Sequence, residues 1–471
     1  MTAIIGYLNT FFWSYVLIYG LLAVGLYFTI RLKLIQVIHF KEMIRSVMGS
    51  KQTDKSGISP FQALCTSLAS RVGTGNIAGV AVALTLGGPG AIFWMWVVAT
   101  LGMATAFAES TLAQLYKVRD DEGRYRGGPA FYIAKGLKAP WAGAIFSLCL
   151  ILSFGLVFNA VQANSIAEAM DGAFGIPKLG TGIALAVLTG IIIFGGISVI
   201  AKVAEIVVPF MAIAYIGMAI VVLVLNISEV PAMLAHIVAS AFGMDQALGG
   251  TAGAMSAAMM NGVKRGLFSN EAGMGSAPNI AAVATPDPHH PASQGFVQAL
   301  GVYIDTILIC TATALIILLS GVMVEGGPTG TQLTQMAVVS QIGPYGAHFI
   351  AVAIFFFAFT SIIGNYSYAE GALTFLKLGS HLSRNILRAI VCAMVIWGSV
   401  QTVATVFDTA DASMGLMATI NLIAILALSG TVVKLAEDYL AKRRRGIEPK
   451  FVASEMPELT GKIDAEIWKA E

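Results

Sequence analysis

An apolar stretch long enough to cross a membrane is interrupted at its centre by Arg71-Val72-Gly73-Thr74-Gly75-Asn76. Residues 59–69 and 77–86 on either side are apolar enough to be buried, so the glycines and the arginine fall where a continuous helix would run. Backbone N–H and C=O groups freed at that depth cost several kcal/mol unless they are satisfied, and they persist where they line a cavity or hold an ion. The sequence therefore predicts a helix broken at a binding site. Composition sets the class: of 471 residues, 57% are hydrophobic and 11% charged, against about 25% charged in a soluble domain.

Apolar runs able to cross roughly 30 Å of hydrocarbon lie near 9–30, 59–86, 89–116, 141–167, 181–200, 203–226, 251–284, 296–323, 347–376, 387–406 and 412–434. Basic residues follow every odd span: Arg31, Lys33, Lys41, Arg45, Lys51 and Lys55 after the first, and a second group from Lys117 to Lys138 after the third. Lys202, the group Lys377, Arg384 and Arg388, and the run from Lys434 to Arg445 continue the pattern, whereas the other loops at 168–180, 227–250, 324–346 and 407–411 hold Lys178 alone. The positive-inside rule then places the amino terminus outside and the carboxy terminus in the cytoplasm of a cell inner (plasma) membrane protein. The first span lacks a basic leader and a small-residue cleavage site and reads as a true helix.

A second interruption, Gly266-Leu267-Phe268-Ser269-Asn270-Glu271-Ala272-Gly273-Met274-Gly275-Ser276, falls in the seventh span. Spans two and seven enter from opposite sides, so spans 2–6 and 7–11 read as a 5+5 inverted repeat, and paired Gly-interrupted spans mark a transporter's site. The fold class is an all-α polytopic membrane protein of eleven transmembrane helices, with helices 2 and 7 broken and one extra helix at the amino end. The divisions are 1–58 for that helix and its cytoplasmic loop, 59–226 and 227–434 for the two repeats, and 435–471 for a cytoplasmic tail.

Other classes find little support. Gly73, Gly75 and Gly79 have the wrong spacing for a dinucleotide fingerprint and follow no strand, and no G-x-x-x-x-G-K-[ST] loop occurs. Basic residues form no patch interleaved with aromatics, so nucleic acid is not expected. No protein partner and no organic cofactor are implied. Cys65, Cys149, Cys310 and Cys392 all lie in apolar spans and read as packing residues. His289 and His290, in a proline-rich loop, read as turn residues. An enzyme would need a nucleophile, base or metal cluster at working spacing, and none is recognisable. A channel would need a continuous polar pore, whereas the polar groups gather at two interruptions.

At the first break, amides of Gly73, Thr74 and Gly75 begin a half-helix whose positive end favours a carboxylate. Carbonyls from Ala69 to Val72 suit an ammonium or Na⁺. Arg71 at mid-membrane costs about 3 kcal/mol or more and calls for an anionic partner, either an acid such as Asp305, Glu271 or Glu109 or the substrate carboxylate, with the acid favoured. Lys264 and Arg265, about one turn before Phe268, read as gate residues of an outer vestibule, with Asp408 and Asp411 of the outer loop as partners. Asn76, Ser269 and Asp305 are candidates for a second cation site.

The strings Ser67-Leu68-Ala69-Ser70-Arg71-Val72-Gly73-Thr74-Gly75-Asn76-Ile77-Ala78-Gly79-Val80, Gly87-Gly88-Pro89-Gly90, Phe107-Ala108-Glu109-Ser110, Phe268-Ser269-Asn270-Glu271-Ala272-Gly273 and Phe357-Ala358-Phe359-Thr360-Ser361 resemble the alanine or glycine:cation symporter family from about residue 10 to 450. The resemblance implies Na⁺- or H⁺-coupled uptake of a small neutral amino acid on a fold of the bacterial leucine transporter type. It implies a sodium site at Thr360 and Ser361 completed by carbonyls of Ala69 and Val72, Phe268 as an aromatic lid over substrate, Ser269 beside the ion, and Gln162 reaching the substrate, with Asn270 grouped among the substrate contacts. Asn365 departs from the family pattern, in which a tryptophan is common at that place. Its smaller side chain and amide set glutamine or serine beside alanine and glycine as substrates.

Overall fold

The computed structural model describes residues 2–48, 56–244, 251–324 and 326–469; Lys51 and Lys55 of the first basic loop lie outside them. Among the described residues, eight helices are long and apolar enough to cross a membrane: Ile4–Arg31, Gly90–Leu115, Pro140–Phe174, Gly196–Leu225, Pro291–Ser320, Tyr345–Phe375, His381–Ser399 and Val403–Ala427. A shorter apolar helix, Lys178–Ile193, precedes Gly196–Leu225. Large apolar side chains exposed along the latter, such as Ile206, Phe210 and Ile213, form a face suited to lipid rather than water. The described sheet structure is one two-stranded antiparallel pair, Val118–Arg119 with Tyr125–Arg126.

Both interruptions are breaks in the helical path. Ser59 caps the first half-helix, Pro60–Arg71, through a reciprocal pair: its hydroxyl accepts the Gln62 amide and its own amide reaches Gln62 Oε1, each at 3.1 Å. Val72 then turns extended (φ −80, ψ 91), and the helix resumes at Gly75–Gly87. In the seventh span, Thr251–Asn270 ends at a run of left-handed residues, Glu271, Gly273 and Gly275, before Pro278–Val283.

Three boundaries differ from the sequence expectation. Ser380 and Thr402 are N-caps, accepting the amides of Ser383 and Thr405, so spans ten and eleven run 381–399 and 403–427, and Asp408 and Asp411 stand on a helix instead of in a loop. Lys202 is likewise helical, because the turn before it lies at 194–195. Loops 227–250 and 324–346 carry helices of their own, Val230–Ala241 and Gly330–Ile342.

The polypeptide after Arg444 folds back across one end of the bundle. Trp468, fully buried, donates from Nε1 to the Leu115 carbonyl (3.1 Å) and stacks obliquely on His289, while the Phe451 amide bonds the His289 carbonyl at 2.9 Å. At the same end Thr285 N donates to Ile58 O (2.9 Å) and Ile58 N to Val283 O (3.2 Å), tying the start of the first broken span to the end of the second.

The two helix breaks and their side chains

The breaks touch. A Cβ on Gly75 would stand 2.9 Å from Phe268 Cδ1 and 3.2 Å from Ser269 Cα, so only a residue without a side chain lets the second break come this close. Three segments here wind with a wider, π-helical turn: Gly75–Gly79, Ile151–Phe158 and Tyr303–Cys310. Such bulges concentrate at functional sites, and these carry Asn76, Phe158 and Asp305.

Ala69, at the end of the first half-helix, presents its carbonyl to two hydroxyls of the helix Tyr345–Phe375: Ser361 Oγ at 2.8 Å and Thr360 Oγ1 at 3.4 Å. Both hydroxyls also donate to the Phe357 carbonyl. The extended backbone at Val72 turns its carbonyl off the helical path. These are oxygen donors on two helices, the ligand type a hard cation selects.

The amides expected to be free are mostly taken. Asn76 Oδ1 accepts from Gly73 N and Gln162 Oε1 from Thr74 N, each at 3.0 Å. In a buried break an unpaired N–H is costly, so nearby side chains fill it. A substrate carboxylate bound there has to displace one of those oxygens; among the described residues, no side chain caps the Gly75 amide. Gln162 thus reaches the break itself. Gly73 leaves it room, since a Cβ would lie 2.7 Å from Gln162 Oε1 and against Ser361 Oγ.

The three residues considered for a second cation site come together through Asn76, whose Nδ2 donates to Ser269 Oγ (2.9 Å) and to the Asp305 carbonyl (2.7 Å). The donor end of the amide therefore occupies the space between them. Thr306 and Cys310 complete this cluster, with hydroxyl and thiol each 3.2 Å from Ser269 Oγ. Neither stands out in the sequence, where a threonine and a cysteine in an apolar span read as packing. Asn270 caps the second break, accepting the Ala272 amide at 3.0 Å, and its buried Nδ2 has no protein partner.

Phe268 is the middle of an aromatic column. It stacks on Phe158 (4.6 Å between centroids), which stacks on Phe154 (4.3 Å), and Phe407 leans against its other side. The Arg265 guanidinium lies 5.0 Å from the Phe407 ring and 5.7 Å from that of Phe268. Arg265 pairs with Asp411, and Lys264 Nζ approaches the same carboxylate at 4.0 Å. Both cations choose Asp411; Asp408, one turn earlier, gives its backbone carbonyl to Asn9 instead.

Arg71 is wholly buried. Its Nη1 lies 3.7 Å from Asp305 Oδ2, and its Nη2 donates to Ser67 Oγ (2.9 Å) and Gln298 Oε1 (2.8 Å). Of the three acids considered, Asp305 is the one at ion-pair distance. Gly301 makes this possible, because any side chain there would collide with the guanidinium. The other two acids hold the second break: Glu109 accepts Gly273 N (3.1 Å) and Asn421 Nδ2 (2.8 Å), and Glu271 accepts the hydroxyls of Ser70 (3.2 Å) and Ser276 (2.5 Å). Asn365, expected to offer its amide to substrate, is engaged at both ends by Ser70 and Asn159.

His290 is the N-cap of Pro291–Ser320, its Nδ1 accepting the Ala292 amide at 3.0 Å and its Nε2 lying 3.1 Å from Asp438 Oδ2. Among the described residues, no group of three or more His, Cys, Asp or Glu could hold a metal.

Comparison with known proteins agrees with the helix pattern. The chain is 51% identical to the amino-acid carrier protein AlsT of Bacillus subtilis, over 98% of this chain and 97% of the relative. It is 50% identical to the probable sodium/glutamine symporter GlnT of the same organism, over 95% and 92%. It is 40% identical to the sodium/alanine symporter AgcS of Methanococcus maripaludis, over 92% and 95%. Residues 1–453 match the sodium:alanine symporter family. With helices able to span a membrane, two breaks in contact and residues 1–453 matched by the family model, the chain belongs to the sodium:alanine symporter family, a group of cation-coupled amino-acid transporters and not of enzymes.

Proposed function

We propose that the protein is a secondary active symporter in which inward Na⁺ flux drives uptake of a small neutral amino acid by alternating access. The eight long helices are joined in this reading by the two broken pairs and Lys178–Ile193 to make eleven spans. In this reading 59–226 and 227–434 are inverted repeats, the amino terminus is outside and the carboxy terminus is cytoplasmic in the plasma membrane. The observation that carries the reading is the meeting of Thr360 and Ser361 with the Ala69 carbonyl at the end of a half-helix. Na⁺ takes these oxygens together with the Val72 carbonyl. The substrate carboxylate then displaces Gln162 from the Thr74 amide, Phe268 covers it, and Arg265 with Asp411 closes the outer side.

Alanine or glycine is the favoured substrate, because neighbouring side chains pack so closely on Gly73 and Gly75 that little room is left for a long side chain. Glutamine or serine is the alternative, supported by the GlnT relative at 50% identity. Counterflow of labelled alanine and labelled glutamine in proteoliposomes, each with Na⁺ and with a proton gradient alone, decides both questions. Sodium-dependent alanine counterflow is the expected result; counterflow driven equally without Na⁺ would replace the coupling ion by H⁺.

A further inference from the structure

The side chains around Ser70 form a chain of hydrogen bonds whose direction is fixed. Asn159 Nδ2 donates to the Gly155 carbonyl at 3.0 Å, which leaves Asn159 Oδ1 as an acceptor, and it takes Asn365 Nδ2 at 3.1 Å. The Asn365 oxygen must then face Ser70, 2.5 Å from its hydroxyl. Across from it stands Glu271 Oε1, 3.2 Å from the same hydroxyl. A serine has one hydroxyl hydrogen. Two acceptors on two different elements therefore compete for it.

The surroundings single out this contact. Ser70 is the residue after Ala69, whose carbonyl takes Ser361, and Gly364 lets the helix Tyr345–Phe375 press against the Ser70 backbone, its would-be Cβ 3.3 Å from Ser70 Cα. Glu271 stands at φ +56 in a run whose other left-handed members, Gly273 and Gly275, are glycines. A left-handed glutamate is disfavoured unless its side chain is needed where it is. Arg71, the nearby buried cation, is turned to Asp305, so the Glu271 carboxylate is held by hydroxyls.

We propose that Ser70 is a two-position relay between the cation site and the second helix break, with Glu271 and Asn365 as its two stations. The proposal rests on the sodium-coupled reading above. With the hydroxyl on Glu271, the two breaks are tied to each other. A cation drawing on the Ala69 carbonyl moves the adjoining residue, and the hydroxyl passes to Asn365. The first break is then tied to the helix that bears Thr360 and Ser361, and the second break is released. In this relay the side chains of Ser70, Glu271 and Asn365 act through one another as positioning residues.

The test uses purified full-length protein, wild type and the variants Ser70→Ala, Glu271→Gln and both together. Binding of labelled alanine is measured with and without Na⁺, and melting in detergent is recorded for the same four proteins. Wild type should gain about 5- to 150-fold in affinity with Na⁺. In Ser70→Ala and Glu271→Gln that gain should collapse toward unity with sodium-free affinity retained, and the double variant should be no worse than either. The melting losses of the two single changes should not add. A sodium gain retained in Ser70→Ala, or strictly additive melting losses, overturns the relay alone. Absence of any sodium gain in wild type, for alanine and glutamine alike, overturns the symport reading and the relay with it.

Discussion

Arg71 and Asp305 face each other 3.7 Å apart, both fully removed from solvent. Removing one partner strands the other as an uncompensated buried charge, which costs about 3–5 kcal/mol. Arg71→Gln and Asp305→Asn should each lose that much stability in detergent unfolding, and the double variant should lose much less than their sum. Additive losses would show that the two groups do not act as a pair.

Thr360 and Ser361 share the Ala69 carbonyl, so their joint replacement by alanine leaves a cation only main-chain oxygens on that side. Thr360→Ala/Ser361→Ala should abolish sodium activation of uptake while the protein still inserts and runs as a monodisperse peak. Activation like that of wild type would sink the assignment.

Gly73 and Gly79 lie in the same apolar stretch but in different surroundings. A methyl group on Gly73 presses on Gln162 and Ser361, whereas one on Gly79 finds its nearest neighbour, Thr74 O, at 3.7 Å. Overpacking of about 1–3 kcal/mol, or roughly 5- to 150-fold in affinity, is expected for labelled-alanine binding to Gly73→Ala. Gly79→Ala should bind as wild type does. Equal behaviour of the two variants would return the Gly73 motif to ordinary helix packing.

The breaks can be read from sequence because glycines and an arginine inside an apolar span disrupt a helix that the bilayer would otherwise keep continuous. Arg71 demands an acid, and Asp305 answers. Partner selection beyond that depends on rotamers and helix rotation. Nothing in the order of residues shows that Gln162 rather than substrate holds the Thr74 amide, or that both Lys264 and Arg265 turn to Asp411. The ends of spans ten and eleven carry a local signal: Ser380 and Thr402 each precede a helix by one residue, the ordinary place of an N-cap, while hydropathy alone slides the boundaries toward the most apolar stretch. Asn365 illustrates a different limit. Its departure from a family pattern suggests substrate contact, yet the structure surrounds it with Ser70 and Asn159.

His290 gives the end bearing Trp468 a pH dependence. Burial lowers its pKa below the usual 6.5, although Asp438 at 3.1 Å pulls the other way, with Lys442 and Glu455 also in reach. Because Nδ1 accepts the Ala292 amide, the proton resides on Nε2 and is donated to Asp438. A lowered folded pKa means that the unfolded ring protonates first as pH falls. The stability it contributes is complete above about 6.5 and is lost on acidification below that value, as Nδ1 gains a proton and the cap is broken. Limited proteolysis of the segment after Arg444 should therefore quicken between pH 7.5 and about 5.5, and His290→Asn should flatten the difference. A pH-independent cleavage rate in wild type would falsify this account.

Trp468 reaches back to Leu115 across 353 residues of sequence. At roughly 5–20 residues per second, a ribosome takes about 20–70 s to travel that distance. Only in the second half of that interval, once Pro278–Val283 has been made, does the growing chain hold both broken helices, and the end of the helix Gly90–Leu115 still waits for Trp468. The order of synthesis thus makes this end of the bundle the last to mature, and a quality-control protease or chaperone that samples nascent membrane proteins meets it open.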